Sequence, residues 1–292
     1  KSKTVSYIGF TAKGGANYNL NDYHNVFFNV GYISRAPFFS GGAFLQSTTS
    51  NDVNPDAINE KIFSAEIGYG FKSRTFTANL NAYFTKWLDK TTTRSSDYTT
   101  PDGTLDRYIL NMSGVNAKHM GIELDMKYQP FRWLDITGML SVGDWKWDSN
   151  ATGYFYNSAG QPLADLKGTV ASGILADDHA KFTLMQKGIK VGGSAQTTAA
   201  IGINARLNRY FRVGLDYTHR ANLYADYSLS SSDINPGELY VADPWKIPDG
   251  GEFDFNASYR FKIGSLNATL YGNINNLLNY HYIVDAYDGG TG

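Results

Sequence analysis

Between Lys118 and Tyr128 the chain alternates without a break. Met120, Ile122, Leu124, Met126 and Tyr128 take one side, and Gly121, Glu123, Asp125 and Lys127 take the other. A side-chain period of two predicts a strand. Gln129-Pro130-Phe131-Arg132 turns the chain, and Leu134, Ile136, Gly138, Leu140 and Val142 then alternate with Asp135, Thr137, Met139 and Ser141. The two runs predict a long hairpin with one apolar face and one mostly polar face. Strands of soluble sandwiches run about 5–6 residues. These are about twice as long, near the length that crosses a bilayer as a tilted barrel strand.

The same pattern recurs along the chain. Residues 4–19 place Ile8, Phe10, Ala12, Ala16 and Tyr18 on one face, and Asn21-Asp22 is a tight-turn signal. Val26, Phe28, Val30 and Tyr32 follow, then a loop over 37–59 rich in Gly, Ser, Thr and Asn. Phe63 to Phe71 and Phe76 to Phe84 alternate on either side of Ser73-Arg74, and a Thr/Ser/Asp stretch over 90–105 predicts another long loop. After Val142 the phase slips, so that Trp145 and Trp147 fall on the polar side. That predicts a bulge near Gly143 or an interior-facing Trp pair. Residues 150–193 read as the longest irregular stretch. Ala199 to Leu207, Phe211 to Tyr217, Phe253 to Phe261 and Leu266 to Ile274 resume the alternation, with turns at Asn208-Arg209 and Gly264-Ser265. A loop over 222–251, including Ser230-Ser231-Ser232, separates the second and third of these runs.

About ten strands result, with short turns and long loops in strict alternation. In membrane barrels the short turns face the periplasm and the long loops face outside. Tyr18, Phe71, Phe76, Tyr128, Trp133, Phe211 and Phe261 cluster beside the short turns, where an interfacial aromatic girdle belongs. The first strand then descends and the last ascends, so residues 1–292 are expected to be one part of a larger barrel domain, with strands at both ends still to be supplied. Composition agrees. There is no apolar run long enough for a spanning helix, and Tyr, at 21, outnumbers Phe, at 17. A net charge of -1 gives no field that would draw nucleic acid or anionic lipid to the molecule as a whole. The absence of Cys excludes a disulfide framework and a thiolate metal site.

Several segments on these strands carry a resemblance. Tyr32-Ile33-Ser34-Arg35-Ala36-Pro37, Asn54-Pro55, Asn59-Glu60-Lys61 and Glu66-Ile67-Gly68-Tyr69 follow in order, and Gly121-Ile122-Glu123-Leu124 and Asn276-Leu277-Leu278-Asn279, with Tyr282, lie further on. The set resembles the barrel signatures of TonB-dependent outer-membrane transporters, with Leu278 where that family usually has Phe. The resemblance implies a transmembrane antiparallel β-barrel of ~22 strands, of which this chain holds about ten from the C-terminal half. It implies a plug domain and first strands upstream, and a final strand downstream. It also implies the Gram-negative outer membrane, TonB as partner through an upstream TonB box, and room for a surface lipoprotein partner. The implied activity is TonB-driven import of a scarce solute: siderophore-iron, haem, cobalamin or oligosaccharide. A passive porin and an omptin-like protease are the alternatives, and the carboxylate dyad and Asp-His pair that the protease needs cannot be assembled from these loops.

Candidate chemistry is sparse. His24, His119, His179, His219 and His281 show no i,i+4 pair and no His-x-His, so they are expected to be exposed or lumen-facing and not metal ligands. Asp285 to Gly289 lacks most ligand positions of a calcium loop. No nucleophile elbow or phosphate loop occurs, so neither an enzyme nor a bound cofactor is expected. Charge gathers on the predicted lumen face, at Lys13, Glu66, Lys72, Glu123, Asp125, Lys127, Arg212, Asp216, Asp254, Arg260 and Lys262. Aromatic residues gather in the outer loops: Phe38, Phe39 and Phe44; Trp145 and Trp147; Tyr154, Phe155 and Tyr156; Tyr224, Tyr227, Tyr240 and Trp245. Phe38, Phe39, Trp145, Trp147, Tyr154, Tyr156, Tyr224 and Trp245 are the candidate solute contacts, because aromatic faces stack on sugars, macrocycles and aromatic chelators.

Overall fold

A computed structural model describes residues 3–39, 42–45, 52–227, 229–230 and 232–288. Ten long strands form the wall: β1 (Phe10–Asn19), β2 (His24–Arg35), β3 (Glu60–Lys72), β4 (Phe76–Thr99), β5 (Leu105–Phe131), β6 (Leu134–Trp147), β9 (Thr197–Arg206), β10 (Phe211–Ala221), β15 (Gly250–Ile263) and β16 (Leu266–Ile274). Short strands fill the long connections: β7 (Ala151–Tyr156), β8 (Lys181–Met185), β11 (Leu223–Tyr224), β12 (Asp226–Tyr227), β13 (Gly237–Tyr240) and β14 (Lys246–Ile247); β17 (Tyr287–Asp288) follows β16 and pairs with β12. The wall runs β1-β2-β3-β4-β5-β6-β9-β10-β15-β16, antiparallel throughout, so β1 and β16 are its edges.

The register keeps each face uniform. Ile122 stands opposite Ala82 and Val142, and Ile203 stands opposite Ile136 and Leu215. A slip of one residue in any ladder would turn that strand's apolar set inward. The apolar face is open: Ile67 is 61% exposed and Ile122 55%. No helix among the described residues is long and apolar enough to cross a membrane. A continuous exposed apolar belt around a sheet is what lipid covers in a barrel. At the short-turn end the aromatics meet across strands, Phe71–Phe76 tilted (6.0 Å) and Phe76–Tyr128 (6.1 Å) and Phe211–Tyr259 (6.5 Å) edge to face.

Three sequence expectations need correction. The stretch 90–105 is not a loop: β4 and β5 continue their ladder beyond the wall, through Thr93↔Asn111 and Ser96↔Tyr108, to a turn at 100–104. Threonine has high strand propensity, and these polar residues pair with the buried run Tyr108–Met112, which supplies the burial that they lack. The stretch 150–193 is not structureless either. β7 pairs with the upper part of β5, β8 with β7, and β13 with β8 in parallel. Leu110, Met112, Phe155, Leu163 and Phe182 are at most 2% exposed there, and they form the core of a cap. Third, β5 runs through Gln129-Pro130 to Phe131, with its register shift between Tyr128 and Phe131, so the turn is at Arg132-Trp133.

No bulge occurs at Gly143. The β5–β6 register runs unbroken through Gly121↔Gly143 to Ala117↔Trp147, so Trp145 and Trp147 keep the inward phase. What changes there is the other neighbour. β9 leaves β6 at Val142↔Thr197, and the Gln196 side chain takes over, accepting from the Trp145 N–H (2.9 Å) and donating to the Trp145 and Val191 carbonyls (3.1 Å each). The Asn-Leu-Leu-Asn segment also has a local cause. Asn276 and Asn279 sit at φ 49° and 50°, a left-handed conformation that asparagine tolerates better than most residues. The Asn276 N–H donates to the Asp254 carboxylate (2.8 Å), and its side-chain amide exchanges hydrogen bonds with Tyr280 (2.8 Å each). The chain therefore reverses at the top of β16. Asp288 accepts the Trp245 N–H, which gives it a structural partner. Ser231 and Gly289 lie outside the described residues.

The face assignment makes a direct prediction. Leu124→Arg puts a charge in the apolar belt at a cost of about 2–4 kcal/mol and should impair membrane assembly. Asp125→Asn, one residue on, should leave it intact. Heat-modifiable gel mobility reads both, and equal defects would mean that the faces are wrongly assigned.

Candidate functional site

The inner face is built from short polar side chains on every second residue. Asn29 donates to Glu66 (3.2 Å), Asn256 donates to Asp216 (3.2 Å), and Lys127 lies 3.8 Å from Asp135. Three of the predicted lumen residues come together. Asp125, Lys127 and Asp216 line one depression of about 550 Å³ on β4, β5, β6, β9 and β10, with Asn79, Thr137 and Thr218. Its floor is Gly202, where a Cβ would lie 2.6 Å from the Thr137 hydroxyl and closer still to the Asp216 carboxylate. The missing side chain lets these two groups approach across the ladder. Glu66, Glu123, Asp254 and Arg260 stand apart from this depression. Glu123 faces Asn81 and Ser141 across the register, Asp254 is engaged by Asn276, and Arg260 is exposed near the short turns.

Higher on the same face Trp145 donates its Nε1–H to the Tyr83 hydroxyl (2.9 Å), and the His119 ring lies 5.4 Å from the indole. The Tyr83 ring fills the space beside Gly121 that a side chain would need. Trp147, two residues on, packs against the cap core.

The aromatic candidates of the long connections divide. Phe155 and Tyr156, at 0% and 1% exposure, are structural members of the cap. Tyr156 makes no hydrogen bond through its hydroxyl, and burial together with Asp56 pushes that phenol up. Tyr154 lines an open cleft of about 780 Å³ with Asp56, Asp177, Asp178, His179, Lys181 and Leu175. Phe38 and Phe39 are exposed, Arg35 lies over the Phe38 ring (5.0 Å), and Phe39 packs on Phe44 (4.7 Å). Tyr224 has the Lys190 ammonium 5.8 Å from its centroid, and Trp245 is half-exposed. The rim therefore carries three separate aromatic groups, at Phe38–Phe39, Tyr154 and Tyr224.

His179 departs from the expected exposed or lumen-facing histidine. It is buried, with Nδ1 2.8 Å from the Ile174 carbonyl, Nε2 2.9 Å from the Phe155 carbonyl, and the Tyr154 and Tyr156 rings against it. Beside it, burial raises the Asp56 carboxyl, and the His179 charge pulls the other way. Asp178 is held below the usual carboxylate range by bonds from the Ser172 N–H and hydroxyl. No spacing in the sequence marks this cleft, because its residues come from the ends of three unrelated connections. Among the described residues no group of His, Asp and Glu could hold a metal ion.

An antiparallel sheet with a lipid-covered outer face, a polar inner face, tight turns at one end and a folded rim at the other is the wall of an outer-membrane β-barrel. The family model described as TonB dependent receptor-like, beta-barrel matches residues 2–277. The chain belongs to that family, and its place is the Gram-negative outer membrane. Solved structures agree in fold. The copper transporter OprC is 16% identical over 95% of this chain and 34% of its own, with a TM-score of 0.56. The ferric-catecholate import receptor Fiu from E. coli K12 is 14% identical over 95% and 32%, with a TM-score of 0.55. The ferric preacinetobactin receptor BauA from Acinetobacter baumannii is 15% identical over 93% and 32%, with a TM-score of 0.53. The chain spans about a third of the length of these proteins. No curated protein matches it in sequence.

Two predictions follow from this geometry. Phe155→Ala should cost the cap about 3–5 kcal/mol, seen as faster proteolysis within 150–190 on intact cells while the wall stays heat-modifiable. Single cysteines at Asp102 and Arg74 should be labelled from outside at Asp102 alone, and the reverse result would invert the orientation.

Proposed function

We propose that this chain forms wall and rim of an energised outer-membrane importer, and that its role is not enzymatic. A scarce solute of the siderophore-iron, haem, cobalamin or oligosaccharide type binds at the rim, and TonB drives rearrangement of a plug carried by the same polypeptide. The carrying observation is the family match over residues 2–277. The names of OprC, Fiu and BauA, a copper transporter and two ferric-chelate receptors, favour a metal or metal-chelate cargo within that range. The rim suits such a solute, with exposed ring faces at Phe38, Phe39 and Trp245 and a carboxylate-lined cleft beside Tyr154. The lumen depression at Asp125, Lys127 and Asp216 offers polar contacts below it.

Further strands belong to the same proposal. The outer edges of β1 and β16 carry N–H and C=O groups that no strand of the wall pairs. In hydrocarbon each such group costs several kcal/mol. Flanking strands of the same polypeptide would close the wall into a barrel of ~22 strands, too wide for its own side chains to fill and therefore plugged. A surface lipoprotein over the exposed rim is compatible with this arrangement.

Growth tests the reading. A strain lacking the gene should fail on one member of a panel of ferric siderophores, haem, cobalamin and oligosaccharides supplied as the limiting nutrient. Loss of TonB should give the same defect. Uptake that survives without TonB would identify a passive channel instead.

A further inference from the structure

The outer face changes character at one level. Lys86 pairs with Lys118, Lys118 pairs with Lys146, and Lys146 forms a bridge with Lys190. These four lysines are direct cross-strand neighbours. They share the outward phase of Leu80 on β4, Ile122 on β5 and Val142 on β6. Like charges placed directly opposite destabilise a sheet, so a row of four needs anions.

Two aspartates at this level meet part of that need. Asp148 pairs with Lys86 (2.9 Å), and Asp144 pairs with Lys146 (3.0 Å) and Lys190 (2.6 Å). Lys187 adds another cation near Asp148, and Asp243 reaches only the Lys190 backbone N–H. Lys118, at the centre, lies within electrostatic reach of Asp148 but forms no hydrogen bond or close ion pair with a described residue. Cationic charge is in excess at this level, with Asp144 and Asp148 set against Lys86, Lys118, Lys146, Lys187 and Lys190.

The height of the row is set by the strands. Phe76 pairs with Tyr128, and Tyr128 with Ile136; each of the three lysines on β4, β5 and β6 lies ten residues from its own member of that rung. At about 3.3 Å per residue and a tilt of roughly 40°, that run climbs about 25 Å, the height of the apolar band. The aromatic girdle marks one boundary of the hydrocarbon, and the lysines stand at the other. Their methylene stems continue the apolar surface while the ammonium groups reach headgroup level.

We propose that the row Lys86–Lys118–Lys146–Lys190 binds the phosphate groups of a phosphorylated glycolipid in the outer leaflet. Phosphate oxygens between Lys86, Lys118 and Lys146 would take charge-assisted hydrogen bonds from all three, and the acyl chains of the same molecule would lie against Met120 and Ile122 below. The site faces lipid, on the opposite side of the wall from the solute path, so it does not depend on the transport reading.

The test uses the protein extracted from outer membranes, stripped of lipid in mild detergent, and titrated with diphosphoryl lipid A by native mass spectrometry. The triple variant Lys86→Gln, Lys118→Gln, Lys146→Gln should weaken binding about ten-fold. Replacing the same three by Arg, or Lys262→Gln on the inner face, should change it less than about two-fold. Phosphate-free lipid A should bind more weakly than the diphosphoryl form and should not distinguish the triple variant from the parent. If the triple variant fails to assemble, Lys118→Gln alone carries the test, with a loss of about three-fold. Unchanged binding by the Gln variant that assembles, or equal binding of phosphate-free lipid A, would overturn the proposal. So would inorganic phosphate binding as tightly as the lipid, which would mark a free-anion site instead.

Discussion

Hydrocarbon offers a backbone no hydrogen-bond partners, and that single constraint governs the wall. Each N–H and C=O within the belt must pair with an adjacent strand. The ladders of β5 with its two wall neighbours therefore run without interruption from the aromatic girdle to the lysine level: β4–β5 pairs continuously from Phe76↔Tyr128 to Trp87↔Ala117, and β5–β6 from Tyr128↔Ile136 to Ala117↔Trp147. The first register shifts of β4 appear beyond that, between Trp87 and Thr92, where Asp89 takes a positive φ. On β4, irregular backbone begins where water can again satisfy it; on the far side of β6, Gln196 and Val191 supply the hydrogen bonds above Val142.

Strict pairing also fixes which side chains meet. Because the register cannot slip, each inward group has set neighbours, and glycine marks where two of them need the same space. The Tyr83 ring lies over Gly121 and there receives the Trp145 indole, while Asp216 and Thr137 converge over Gly202. The inner surface is thus a layer of side chains lying along the wall, with recesses at glycine positions. The depression at Asp125 and Asp216 is one of these.

Outside the belt the logic reverses. The cap has water around it and must bury its own apolar surface, so it folds like a small soluble sheet, with Leu110, Phe155 and Phe182 as core. It has no separate foundation: β4 and β5 rise out of the wall and serve as its first two strands. The rim cleft at Tyr154 and His179 is therefore held at a fixed position relative to the inner face of the wall.

The wall was legible in the sequence because period two is local. Leu124 faces lipid and Asp125 faces the lumen whatever lies on the neighbouring strands, and the ten wall strands and the girdle followed from that alternation, although Gln129-Pro130 is strand and not turn. The family motifs were legible too, and the structure supplies the local cause of one in the positive-φ asparagines of Asn276-Leu277-Leu278-Asn279. Residues 90–99 and 151–156 were not legible as strands. Their strand character comes from partners far along the chain, Arg94 against Leu110 and Ile109 against Tyr156. Nothing local separates a threonine in a loop from one pairing with a buried strand. The same limit hid the cleft at His179 and the lysine row. Lys86, Lys118 and Lys146 are scattered single charges in sequence, and only the register, a tertiary quantity, sets them side by side.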